Sequence, residues 1–252
     1  MTETALITGA TAGIGAEFAE QLAASAYALV LVARDTGRLE TKAIRLRREF
    51  GIDVETLTAD LLTEEGVAAV SARLRQRTNA VTLLVNNAGH SLVKPFEANT
   101  VREEKDHLRI LVEVPMELSH AALEQMLAAG KGRIINVAST AGFIPRGSYG
   151  AAKAWLVSFS RWANLHYRSK GVTVTALCPG FVHTEFHQRM GASTSKVRGW
   201  MWLNADQVVR EGLVDSMAGK AISVPSGRYK VLIALSRLAP ASWAAFAGRR
   251  GR

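Results

Sequence analysis

Thr4-Ala5-Leu6-Ile7-Thr8-Gly9-Ala10-Thr11-Ala12-Gly13-Ile14-Gly15 is the stretch that decides the fold. A short apolar run, Thr4 to Ile7, ends in a turn whose glycines stand in a GxxxGxG pattern. Glu17 to Ala24 then reads as helix, because Ile14, Phe18 and Leu22 recur at a spacing of four on one face. A tight turn needs residues free of Cβ clash, and glycine lets the backbone approach a pyrophosphate closely. The start of the helix adds amide donors and the positive end of its dipole. Strand, glycine turn and helix in that order point to a dinucleotide site, with Gly9, Thr11, Gly13, Ile14 and Gly15 as its first residues.

The same alternation continues outward. Apolar runs at Ala28 to Ala33, Val54 to Leu57, Val81 to Val85, Arg133 to Val137 and Val172 to Leu177 read as strands. Helical stretches lie between them at Leu39 to Phe50, Glu64 to Gln76, Arg102 to Ala129 (shaped by Pro115) and Tyr149 to Arg168. Alternating βα units with continuously apolar strands predict a parallel sheet covered on both faces. Right-handed crossovers then make it a Rossmann-type doubly wound α/β fold of three layers. No linker or repeat divides residues 1–252, so a single domain is expected. Residues after Pro179 are less regular and are expected to carry substrate specificity.

Bulk properties agree. About half of the 252 residues are apolar (48%), enough for a substantial core. Cys178 is the only cysteine, which forbids an internal disulfide and fits a reducing compartment, so a cytoplasmic location is expected. Its apolar neighbours mark a structural residue. The net charge of +9 is spread out, and no nucleic-acid motif accompanies it. The chain enters its first strand without a signal-peptide pattern, and no run reaches a membrane span. No metal-ligand spacing stands out.

Four motifs then appear in order: Thr8-Gly9-Ala10-Thr11-Ala12-Gly13-Ile14-Gly15, Asn86-Asn87-Ala88-Gly89, Tyr149-Gly150-Ala151-Ala152-Lys153, and Pro179-Gly180 with Thr184 beyond. Together they resemble the short-chain dehydrogenase/reductase family over roughly residues 4 to 186. The resemblance implies hydride transfer between a nicotinamide cofactor and a carbonyl or secondary alcohol. It implies that Ser139, Tyr149 and Lys153 are catalytic. It further implies that Asp60, Leu61, Asn87, Ala88, Gly89, Tyr149, Lys153, Pro179, Gly180 and Thr184 contact the cofactor, and that the chain assembles as a homodimer or homotetramer. Chemistry supports the trio. Free tyrosine, with a pKa of ~10, is a poor base at neutral pH, and a lysine one helical turn on would lower it. Two departures stand out. Ser139 and Tyr149 are 10 residues apart, where the family usually has about a dozen. The asparagine that many members carry in the long helix is missing, and Leu111 falls near its position.

Arg34 follows the second strand and suits a 2′-phosphate, so NADP(H) is expected as cofactor. Asp35 beside it keeps NAD(H) open through the ribose hydroxyl. The family resemblance implies a substrate lid over residues 185–205, and the apolar Phe186, Met190, Trp200, Met201, Trp202 and Leu203 there suggest a hydrophobic carbonyl substrate; packing against the sheet is the alternative. Asn204 looks like a helix cap. His90 either faces the substrate or is an ordinary loop histidine. The extension over 225–252, ending in Arg249, Arg250 and Arg252, reads as a docking helix or a peripheral membrane contact. A non-catalytic NADP(H) sensor or subunit is the rival reading of the whole chain.

Overall fold

A computed structural model describes residues 3–185 and 197–238. The apolar runs form β1 (Thr4–Thr8), β2 (Ala28–Ala33), β3 (Val54–Thr58), β4 (Val81–Asn86), β5 (Gly132–Val137) and β6 (Val172–Leu177). Two-residue strands β7 (Phe181–Val182) and β8 (Trp202–Leu203) pair with each other, and β9 (Ile222–Ser223) joins the main sheet. The main sheet runs β3-β2-β1-β4-β5-β6-β9, parallel at every pairing. β9 was not anticipated, since two residues leave no periodic signal. The amides of Ala176 and Cys178 hold it, donating to Ala221 and Ser223 at 2.9 and 2.7 Å.

Both sheet faces are buried, which is why the central strands lack polar alternation, while the edge strand β3 carries Glu55, Thr56 and Thr58. In β1, Ala5 and Ile7 face a layer with α1 (Gly13–Ala24) and α2 (Thr36–Phe50), while Leu6 faces the opposite layer. That second layer holds α3 (Glu64–Leu74), α5 (Val114–Ala128) and α6 (Gly147–Tyr167), with α4 (Val101–Leu108) leading into α5. α7 (Ala205–Met217) joins the first layer through Val208 and Val209, and α8 (Gly227–Leu238) follows β9.

The helical stretch expected from Arg102 to Ala129 and shaped by Pro115 is present over 101–128: α4 passes through a π turn over Arg109–Glu113 into α5, which begins with Pro115 in its first turn. Proline has no amide to offer the Leu111 carbonyl four residues back, and the wider turn absorbs the defect. Asn204 does sit at the N-cap of α7, but its side chain makes no capping bond. Asp35 caps α2 instead, its Oδ1 accepting from the Arg38 amide at 3.0 Å.

Candidate active site

β1 delivers the glycine turn to the end of the sheet, where β4 also ends. Gly9 has φ +68° and Gly13 φ +55°, the left-handed region that glycine adopts without strain. At Gly15 the space is the constraint: a Cβ would lie 2.3 Å from the Gly9 carbonyl oxygen and 2.4 Å from Asn87 Nδ2. Thr8 ties the two strand ends together, its Oγ1 accepting from the amides of Asn87 and Ala88 at 2.9 and 3.0 Å. Asn87 Nδ2 donates to the Thr8 carbonyl at 2.9 Å. The amides of Asn87 and Ala88 are thus spent inside the protein. Ala12, at the N-cap of α1, offers no side-chain cap, so the first-turn amides stay available to an anion.

The remaining residues of the cleft surround this turn. Thr184 packs against Gly13, where a Cβ would come within 3.2 Å of the threonine Cβ. Arg34 is exposed at the end of β2. Asp60 accepts from the Leu62 amide at 3.0 Å, and Leu61 beside it is buried. Gly89 faces Leu111, whose Cδ2 leaves only 2.7 Å for an added Cβ. Pro179 accepts from the Thr140 amide at 3.0 Å. Gly180 lies against the Tyr229 ring, a contact that sequence alone did not suggest. Tyr229 Oη accepts from the Phe181 amide at 3.1 Å and donates to the Met201 carbonyl at 2.6 Å, tying α8 to both flanks of the undescribed segment.

Ser139, Tyr149 and Lys153 come together at the edge of this cleft. The Ser139 hydroxyl accepts from the Ala141 amide at 3.1 Å and hydrogen-bonds Tyr149. Lys153 lies one turn beyond Tyr149 on α6, its Nζ 5.8 Å from the tyrosine ring centroid and donating to the Val137 carbonyl at 2.7 Å. The shortened loop reaches because Gly142 lets it press on α6, where a Cβ would stand 2.9 Å from the Lys153 carbonyl carbon.

Burial pushes Tyr149 above its ordinary value, and the Ser139 hydrogen bond and the charge of Arg146 pull it back. Lys153 is itself lowered to about 8 by burial. Burial also drives the Cys178 thiol up to about 12, as an inert structural cysteine requires.

A buried polar ladder positions these elements. Asn86 Nδ2 donates to Asn136 Oδ1 at 2.9 Å and to Ser119 Oγ at 3.1 Å, and Asn136 Nδ2 donates to Ser160 Oγ at 2.9 Å. It locks β4 and β5 to α5 and α6. A pocket beside Tyr149 is lined by Leu92, Lys94, Phe96, Asn99, His107 and Arg146 among others. His90 turns toward His107, with ring centroids 5.8 Å apart. Of the apolar segment after Thr184, Leu203 packs in the core, Trp202 stacks on His183 at 4.6 Å, and Trp200 is exposed. Phe186 and Met190 lie outside the described residues, as do Arg249, Arg250 and Arg252. Among the described residues no cluster of metal ligands occurs, and no helix is long and apolar enough to cross a membrane.

Comparison with known proteins agrees with this geometry. The short chain dehydrogenase family model matches residues 3–194. The sulfoacetaldehyde reductase of Chromohalobacter salexigens is 35% identical over 222 residues, 84% of this chain and 87% of that protein. A short-chain dehydrogenase from Sphingobium yanoikuyae, solved in complex with NADPH, superposes with a TM-score of 0.85 at 33% identity, covering 93% of this chain and 94% of the other. The bulky-bulky ketone specific alcohol dehydrogenase from Comamonas testosteroni gives a TM-score of 0.81 at 29% identity, covering 94% and 92%. The chain therefore belongs to the short-chain dehydrogenase family of oxidoreductases, which act between alcohol and carbonyl carbons.

Proposed function

We propose that the protein is an NADP(H)-dependent carbonyl reductase. The observation that carries this is the meeting of Ser139, Tyr149 and Lys153 beside a glycine turn with no room for a Cβ at Gly15. The turn, the uncapped start of α1, Thr184 and Arg34 would hold the dinucleotide. Asp35 is occupied capping α2, which leaves Arg34 to meet the 2′-phosphate and favours NADP(H) over NAD(H). The relative solved with NADPH points the same way. When bound, the nicotinamide supplies the hydride.

The chain's own residues do the rest. The hydroxyls of Ser139 and Tyr149 converge on the carbonyl oxygen. Because burial keeps Tyr149 protonated, its Oη holds the proton that the oxygen needs as it gains charge. Lys153, one turn beyond Tyr149 and held by the Val137 carbonyl, would tune the tyrosine and hold the cofactor's ribose.

Leu92 and Phe96 give the pocket an apolar side, and with the exposed Trp200 they suit a ketone with a hydrophobic portion. The exposed apolar side chains of Trp162 and Leu165 on α6, Leu108 on α4 and Met116 on α5 support assembly as a homodimer or homotetramer. The lone buried Cys178 fits the reducing cytoplasm. The reading is tested by following NADPH fluorescence while ketones are added, with Tyr149→Phe as control. Turnover should fall 10²–10⁴-fold with NADPH affinity unchanged. Equal turnover in the variant would refute the assignment of Tyr149, and NADPH binding with no ketone turned over by the native protein would favour a sensor.

A further inference from the structure

His107 is a buried polar residue for which neither the fold nor the trio has a use. It is 1% exposed and sits on α4, just before the π turn. Its ring lies nearly parallel to that of Tyr149, at 18° and 6.1 Å between centroids, and it lines the pocket that Tyr149 opens into. Its Nε2 is fully buried and has no hydrogen-bond partner among the described residues. Buried polar atoms without partners are rare in folded proteins and call for a reason.

The surroundings indicate which proton His107 carries. Nδ1 lies 3.9 Å from Glu104 Oε2, too far for a hydrogen bond but close enough for the carboxylate to favour a proton there. Glu104 is held in place by Asn99 Nδ2, which donates to its other oxygen at 2.8 Å. Burial, then the charge of neighbouring His90, lower His107 to about 4 against the smaller opposing pull of Glu104 and of a hydrogen bond to the His90 backbone, so the ring is neutral at ordinary pH. A neutral ring with its proton on Nδ1 presents Nε2 as a bare acceptor.

We propose that His107 sets specificity: its Nε2 accepts a hydrogen bond from a hydroxyl that the substrate carries beside the reacting carbonyl, so hydroxyketones are preferred. This rests on the carbonyl-reductase reading and names its substrate class. The rest of the pocket is mostly polar, with Lys94, Asn99, Glu104 and Arg146 beside Leu92 and Phe96, which suits a substrate that carries a hydroxyl.

The test compares kcat/KM for an α-hydroxyketone with that for the ketone bearing methyl in place of the hydroxyl, with NADPH saturating. The native protein should favour the hydroxyketone by about tenfold or more. His107→Leu should bring the ratio near one, losing only hydroxyketone turnover. His107→Asn, which offers an amide oxygen, should restore part of the preference. Equal efficiencies in the native protein would overturn the proposal while leaving the reductase reading intact, and this arm needs no variant to fold. A preference undiminished in His107→Leu would also overturn it. NADPH binding with no ketone turned over would refute the reductase reading, and the role of His107 would fall with it.

Discussion

Gly15→Ala probes whether the glycine turn is shaped by space rather than by sequence habit. The added Cβ would stand 2.3 Å from the Gly9 carbonyl oxygen, 2.4 Å from Asn87 Nδ2 and 2.9 Å from the Gly9 carbonyl carbon. Two of these are backbone atoms, so no side-chain rotation relieves the contact. The turn must move, and with it the Asn87 bonds to Thr8 and Gly9. Overpacking of this kind costs ~1–3 kcal/mol, occasionally more. Alanine's better helix propensity returns up to ~1 kcal/mol, since Gly15 lies inside α1. A net loss of about 2 kcal/mol remains, or a fall of roughly 4–8 °C in Tm for a chain of this size. NADPH affinity should weaken on the order of tenfold, which corresponds to ~1.4 kcal/mol, because the same backbone must approach the phosphates. The assay is a thermal melt with and without NADPH, beside a fluorescence titration. Gly227→Ala is the control, since nothing lies within 4 Å of its Cβ position. If Gly15→Ala melts with the native protein and binds NADPH as tightly, the steric reasoning is wrong.

Two further outcomes follow from the same geometry. Arg34→Leu should weaken NADPH about 10- to 100-fold and leave NADH unchanged, because a charge-assisted bond to the 2′-phosphate is lost; titration of both cofactors reads this, and an equal loss for both would mean that Arg34 acts only through the fold. Acid stability should depend on His107. Its folded pKa of about 4 lies below the ordinary 6.5, so the unfolded chain binds the proton more readily. Stability is therefore whole above the unfolded value and is lost as pH falls toward the folded one, by up to ~3 kcal/mol. Urea midpoints for the native protein should drop between neutral pH and pH ~5 more than those of His107→Leu; parallel curves would contradict the shift.

Much of the fold was legible because its signals are local. β1, the glycine turn and α1 are one contiguous stretch, and each strand buried on both faces reads as an apolar run whatever surrounds it. The trio was legible for a related reason: Tyr149 and Lys153 are one helical turn apart, and Ser139 ends the preceding strand. What stayed hidden joins residues far apart along the chain. Asn86 meets Asn136 across 50 residues, and Phe181 meets Tyr229 across 48. No periodicity records such pairs. The π turn at Arg109–Glu113 was hidden differently, because Pro115 marked it but a proline in a helix announces a defect without saying how it is absorbed.

His107 belongs to the hidden class, and it shows why substrate choice is harder to read than reaction type. Hydride chemistry asks the same few groups of every carbonyl, so they recur at recognisable spacings. Substrate choice asks only that one pocket wall match one molecule. Here that wall is made by α4, the segment around His90 and Leu92, and the loop carrying Arg146, three pieces that the sheet alone brings together. Each looks unremarkable in isolation, and a histidine among charged helix residues reads as surface. Only its burial against Tyr149, with one nitrogen unmet, makes it a candidate for recognition. The departure at Leu111 fits the same logic. A buried leucine against Gly89 removes a polar group from one turn of the helix, and His107 returns one to the pocket from the turn before.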